Sequence, residues 1–149
     1  MSIEDELYAD ESVKARAEQE DPIVMYFIVR KDLNMSVGKT AAQVGHGSQM
    51  ILLEYMKLKD SMEPISDEQC KVFQQWLSGS FRKVVLGADD KRWNKLKAYF
   101  DPMTCSTKTV IVRDAGLTEV DPGSETVLAV WPMKRSTAPQ VIKKLQALK

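Results

Sequence analysis

Ile23-Val24-Met25-Tyr26-Phe27-Ile28-Val29 is an unbroken apolar run, rich in β-branched and aromatic side chains. A strand with one wet face alternates polar and apolar residues, so a run without alternation predicts a central strand covered on both sides. Covering it requires helices on each face of the sheet, which selects an α/β architecture.

Reading outward from that strand, Arg30 to Ser36 form a polar loop, and a long helix is predicted from Val37 or Gly38 to about Lys59. Its expected inner face is Ala41, Val44, Gly45, Ser48, Leu52 and Tyr55, with Lys39, Gln43, His46 and Met50 on the opposite side of the wheel. Ser66-Asp67-Glu68 caps a second helix that carries Cys70, Phe73 and Leu77 inward until Gly79. Arg82 to Leu86 reads as a second strand. Asp89-Asp90 opens a third helix with Trp93, Leu96 and Phe100 at helical spacing. Thr109-Val-Ile-Val-Arg113 is a third strand and Thr126 to Trp131 a fourth, joined by a loop with the turn signal Asp121-Pro122-Gly123-Ser124. A final helix is predicted from Ser136 or Thr137, with Val141, Ile142, Leu145 and Leu148 on one face. The expected fold is a single three-layer α/β/α domain with a four-stranded mixed sheet, elements ordered β-α-α-β-α-β-β-α.

With 149 residues, 44% of them apolar and 28% charged, the chain suits one globular domain able to bury a core. Its apolar runs are too short to span a bilayer, and no secretory or transit pattern opens it, so no membrane contact and a cytoplasmic location are expected. Cys70 and Cys105 make neither a metal spacing nor a disulfide framework. A net charge of zero conceals a split: residues 1–22 carry −6 and the rest +6. Residues 1–22 therefore read as an acidic, flexible extension and 23–149 as the domain, whose basic surplus suits a polyanionic partner.

Two tracts carry the chemistry. Gly38-Lys39-Thr40-Ala41-Ala42-Gln43 places a lysine and an amide four residues apart at a helix start, where a cation suits an anionic or polarised oxygen. Val37-Gly38-Lys39-Thr40 ends like a phosphate-binding loop, but the first glycine of that motif is Leu33 here, so no nucleotide cofactor is expected. The second tract, Asp114-Ala115-Gly116-Leu117-Thr118, lies at the end of a strand, where loops build sites around α/β sheets.

Together, Gly-Lys-x-Ala-Ala-Gln and Asp-Ala-Gly-x-Thr…Pro-Gly-Ser-x-Thr-Val-Leu resemble the archaeal and eukaryotic type 2 peptidyl-tRNA hydrolases, from about Ile23 to the C-terminus and including Met35 and His46. The resemblance implies hydrolysis of the ester joining peptide to tRNA, with peptidyl-tRNA as partner, commonly in a homodimer; the lone His46 and two scattered cysteines offer no ligand cluster, so no metal or other cofactor is expected. It places Lys39, Gln43, Asp114, Thr118 and Thr126 at the family's site positions. Lys39 would stabilise charge developing on the ester oxygen, Asp114 would orient Lys39 or water, and the other three would hold water or the ester. No nucleophile elbow or Ser-His-Asp order is present, so direct attack by water is the economical mechanism. Lys31, Lys83 and Arg113 are the candidate RNA contacts. His46 is the lone histidine, a residue type often used as a general base, yet the structural reading is preferred because the family's site is not organised around it. Val37 and the stretch Ala129 to Lys134 depart from the family pattern. That stretch and the additional acidic extension motivate an alternative: a family-like domain with little or no turnover that binds RNA or protein.

Overall fold

The computed structural model describes residues 20–61 and 66–149. The acidic extension, apart from its last three residues, lies outside them. The elements are β1 (Ile23–Arg30), α1 (Val37–Lys59), α2 (Asp67–Ser78), β2 (Lys83–Ala88), α3 (Asp90–Tyr99), β3 (Thr109–Arg113), β4 (Glu125–Val130), β5 (Met133–Lys134), α4 (Gln140–Lys143) and β6 (Gln146–Ala147). They build one mixed sheet in the order β3-β4-β1-β2-β6, with β5 pairing the start of β1. Only β1 and β2 run parallel, with Tyr26 opposite Val84 and Arg30 opposite Ala88.

The central run behaves as its composition requires. Val24, Tyr26 and Ile28 enter a core with Leu86, Trp93, Leu96 and Ile142, beneath α3 and α4. Met25, Phe27 and Val29 enter a second core with Ile51, Tyr55, Phe73, Trp76 and Trp131, beneath α1 and α2. Side chains of opposite parity leave opposite faces of a strand, so one segment anchors both layers.

Three expectations need correction. The sheet has six strands, not four. β5 and β6 are two residues each, too short to show any period, and β5 begins after Pro132, which has no N–H for a ladder. The predicted final helix is a single turn, Gln140–Lys143. Beyond it Leu145 packs into the first core and Leu148 into the second, on opposite faces of the sheet. A spacing of three that looks helical is here a chain crossing the sheet edge, where the Leu148 N–H donates to the Val85 carbonyl at 3.0 Å.

The third correction concerns the buried face of α1, which is Gln43, Gly47, Ile51 and Tyr55 rather than the apolar stripe through Ala41, Gly45 and Leu52. Gly47 sets the close approach: a Cβ there would lie 3.2 Å from the Cβ of Ala129 and 3.4 Å from the Phe27 ring. The helix is turned so that a polar side chain, Gln43, enters the interior. Its partners there explain why.

Candidate active site

β1 ends at Arg30, α1 starts from Ser36, and β3 ends at Arg113, so the first turn of α1 meets the 114–124 loop at the C-terminal edge of the parallel pair. Ser36 caps α1, its hydroxyl accepting the Lys39 N–H at 3.2 Å. Glu119 in the facing loop accepts both the Ser36 N–H, at 2.7 Å, and the Ser36 hydroxyl. Helix start and loop are thereby locked together. Neither Ser36 nor Glu119 was singled out by motif reading; a serine in capping position was their only signal in the sequence.

Asp114 is the hub. Its Oδ1 accepts the Lys39 ammonium at 2.6 Å and the Gln43 side-chain N–H at 3.0 Å, while its Oδ2 accepts the Gly116 N–H at 2.6 Å. The Gln43 amide is oriented in turn by Thr126, whose hydroxyl donates to Gln43 Oε1 at 2.6 Å. This settles which end of the amide carries its N–H groups and aims them at the carboxylate. The backbone of Asp114 is fixed too, its N–H donating to Ser124 O at 2.9 Å and its carbonyl accepting Gly123 N–H at 2.8 Å. Gly116 is obligatory, since its φ is +77° and a Cβ would lie 2.4 Å from the Pro122 nitrogen.

Burial sorts these groups. Thr126 and Gln43, at 0% and 2% exposure, are sealed in the wall. The Lys39 and Asp114 side chains keep 12% and 6% exposure. They are the groups of this network that solvent can touch, and the neutral pair behind them sets their geometry. The hydrogen bond from Lys39 holds the Asp114 carboxyl below its ordinary range; enclosure opposes this, and the Gly116 N–H adds to it. Asp114 is therefore a firmly ionised carboxylate beside a cation.

The remaining candidates stand outside this network. Thr118 is exposed and makes no hydrogen bond among the described residues. Arg113 and Lys97 both pair with Glu125, at 3.0 Å each, on the next strand. Lys31 is exposed at the turn after β1. Lys83 opens β2 opposite Met25, at the far end of the sheet, where its ammonium donates to the Phe81 carbonyl at 3.1 Å and lies 5.1 Å from the Trp76 ring centre. Trp93 and Trp131 are core residues, 2% and 4% exposed, and neither offers a ring for stacking on a base. His46 is exposed on the outer side of α1. No group of three or more histidine, cysteine or acidic side chains gathers as a metal site among the described residues.

Comparison with known proteins converges on one family. The family model for peptidyl-tRNA hydrolase PTH2 matches residues 23–148. A peptidyl-tRNA hydrolase of Thermococcus onnurineus is 38% identical over 106 residues, covering 70% of this chain and 80% of that protein. One from Methanopyrus kandleri is 34% identical over 122 residues, covering 82% and 95%. Another, from Pyrobaculum aerophilum, is 32% identical over 127 residues, covering 85% and 98%.

Proposed function

The chain belongs to the peptidyl-tRNA hydrolase PTH2 family, and from that premise we propose that Lys39 and Asp114 form the centre at which it cleaves peptidyl-tRNA. The protein is an enzyme that hydrolyses the ester between peptide and tRNA, returning tRNA to translation. The observation that carries the site assignment is the single buried network in which Asp114 binds Lys39, Gln43 and Gly116 at once.

Hydrolysis needs a placed water and stabilisation of the tetrahedral oxyanion. The ionised Asp114 carboxylate orients Lys39, holds the attacking water and takes its proton as the C–O bond forms, then hands that proton to Lys39 across their 2.6 Å contact to replace the one given to the leaving oxygen. Lys39 Nζ, at the positive end of α1, faces the developing oxyanion and is placed to pass a proton to the departing ribose oxygen. Gln43 and Thr126 are positioning residues, since their burial keeps them from the ester. Thr118, at the open rim, is the side chain free to meet the substrate. Lys31 and Arg113 flank the centre as phosphate contacts, while Lys83 would touch RNA only where the tRNA extends to the other end of the sheet. The reaction requires no further cofactor in this reading, and its place is the cytoplasm, where translation runs; among the described residues no helix is long and apolar enough to cross a membrane.

A homodimer fits the outer face of α1, where Leu52, Leu53 and Met56 are exposed within a narrow arc. The deciding experiment is single-turnover hydrolysis of peptidyl-tRNA by wild type, Lys39→Ala and Asp114→Asn. Turnover by the wild type with collapse in both variants is expected; full activity in either variant refutes this centre.

A further inference from the structure

The first turns of α1 have a second side. Lys39 and Gln43 look toward the 114–124 loop, whereas Val37, Thr40, Ala41 and Val44 line a cavity of about 580 Å³ at the end of β1 and β2. Val29 and Val85 form its apolar floor, and Asn34, Lys31 and Lys149 stand at its polar margin. Among the described residues, neither Lys31 nor Lys149 forms a salt bridge. Lys31 is also held in place: its stem crosses Gly87, where an added Cβ would come within 2.7 Å of Lys31 Cδ.

We propose that this cavity is the subsite for the terminal nucleoside of the tRNA, with its 5′-phosphate met by Lys31 and Lys149. The inference rests on the reading of Lys39 and Asp114 as the ester-cleaving centre. Whatever fills a cavity one helical turn from Lys39 must be attached directly to the reacting ester, which leaves the terminal nucleoside or the last amino acid of the peptide. Size favours the nucleoside, since the volume lies in the range that encloses whole small ligands. Charge favours it as well. Two unpaired lysines have no use for a neutral amino-acid side chain but suit a phosphate. The aliphatic walls offer flat apolar contact to the faces of a base, and Asn34 and Thr40 supply a donor and acceptor set for its edge.

The test is an NMR titration of the full chain with the dinucleotide CpA, run beside N-acetyl-leucinamide as a mimic of the peptide end. CpA is expected to shift the amides of Met35, Thr40, Ala41 and Val44 saturably, and Ala41→Trp, which fills the cavity, to weaken CpA on the order of tenfold or more. Lys31→Ala should reduce the salt dependence of binding by about one phosphate contact. In peptidyl-tRNA hydrolysis, Ala41→Trp should raise KM much more than it lowers kcat, as expected for a group that grips substrate and transition state alike. The proposal is overturned if CpA leaves these amides unmoved, if N-acetyl-leucinamide moves them and CpA does not, or if Ala41→Trp, still folded by circular dichroism, binds CpA normally. Failure of the wild type to cleave peptidyl-tRNA would instead strike the ester-cleaving centre and leave the CpA titration standing.

Discussion

Asp114 and Glu125 sit at the same end of the sheet, at the close of β3 and the start of β4, and each holds cations through its carboxylate. Their surroundings differ. Lys39, the partner of Asp114, is only 12% exposed, and two uncharged donors, the Gln43 amide from α1 and the Gly116 N–H from its own loop, complete the shell of the carboxylate. The partners of Glu125, Lys97 and Arg113, are 39% and 61% exposed. Exposed pairs contribute little because water and salt compete for both charges. A pair backed by buried neutral groups is fixed before substrate arrives, which is what electrostatic catalysis requires. The same salt-bridge chemistry thus yields an exposed tether in one place and an enclosed, fixed pair in the other.

The sharpest way to break that contrast is substitution. Lys39→Ala and Asp114→Asn are each expected to lower kcat by about 10²–10³-fold, the usual cost of one well-aimed charged or donor group. Glu125→Gln should cost no more than a few-fold, and single-turnover rates on one peptidyl-tRNA decide it. A loss in Glu125→Gln equal to that in Asp114→Asn would mean that the two carboxylates are one functional unit.

Acid titration sharpens the contrast further. Lys39 and the Gly116 N–H together hold Asp114 below its ordinary 3.8, against the opposing effect of enclosure. For Glu125, burial pushes upward, yet Lys97 and Arg113 outweigh it and the net direction is down from 4.5. A depressed carboxylate contributes stability that is fully present above its unfolded pKa and is lost as pH falls through the folded one. Both should therefore favour the fold at neutral pH and cease to do so only below their ordinary values. Catalysis separates them. The acid limb of kcat/KM should lie below 3.8 in the wild type, move upward in Lys39→Ala, and stay put in Glu125→Gln. An unmoved limb in Lys39→Ala would sever Lys39 from the ionisation of Asp114.

A smaller effect is expected behind the centre. Thr126→Val keeps the shape and removes the hydroxyl that Gln43 Oε1 accepts at 2.6 Å. Stranding a buried amide oxygen costs about 1–3 kcal/mol, so the melting temperature should fall by several degrees. Turnover should drop less than in Asp114→Asn, because Lys39 and Gly116 still hold the carboxylate. Thermal melts and kcat measured on the same preparations test both halves.

How much of this was legible beforehand follows from the same physics. The run Ile23 to Val29 announced its two-sided burial because an apolar strand needs no polar partner. Lys39, Gln43 and Asp114 were singled out through motif resemblance, whereas the meeting of Lys39 and Gln43 on the Asp114 carboxylate comes from the fold alone. Periodicity failed on α1 for a specific reason: the stripe assumes that polar residues face water, and Gln43 faces inward because Asp114 and Thr126 satisfy it there. It failed again near the C-terminus, where Leu145 and Leu148 serve opposite faces of the sheet. The Ser36 cap went unread, Ser36 being taken as the end of a polar loop, and its clasp on Glu119 joins residues 83 positions apart and leaves no local trace.

The least effect is expected from the residue that chemistry alone would have nominated first. His46 is the only histidine in the chain and lies one turn beyond Gln43. A general base must come within hydrogen-bond reach of the proton it removes, directly or through one water. Gln43 is turned into the interior, whereas His46 is exposed and forms no hydrogen bond or ion pair among the described residues. Among the described residues no side chain holds the ring toward Asp114, so orientation, the larger part of base catalysis, is missing. Replacing an exposed, unpartnered side chain on a helix also leaves stability within about 0.5 kcal/mol. His46→Ala should thus retain most of the wild-type kcat/KM and keep the acid limb where Asp114 sets it. A loss comparable to that of Asp114→Asn, with the fold intact, would transfer the role of base to His46 and reduce Asp114 to its anchor.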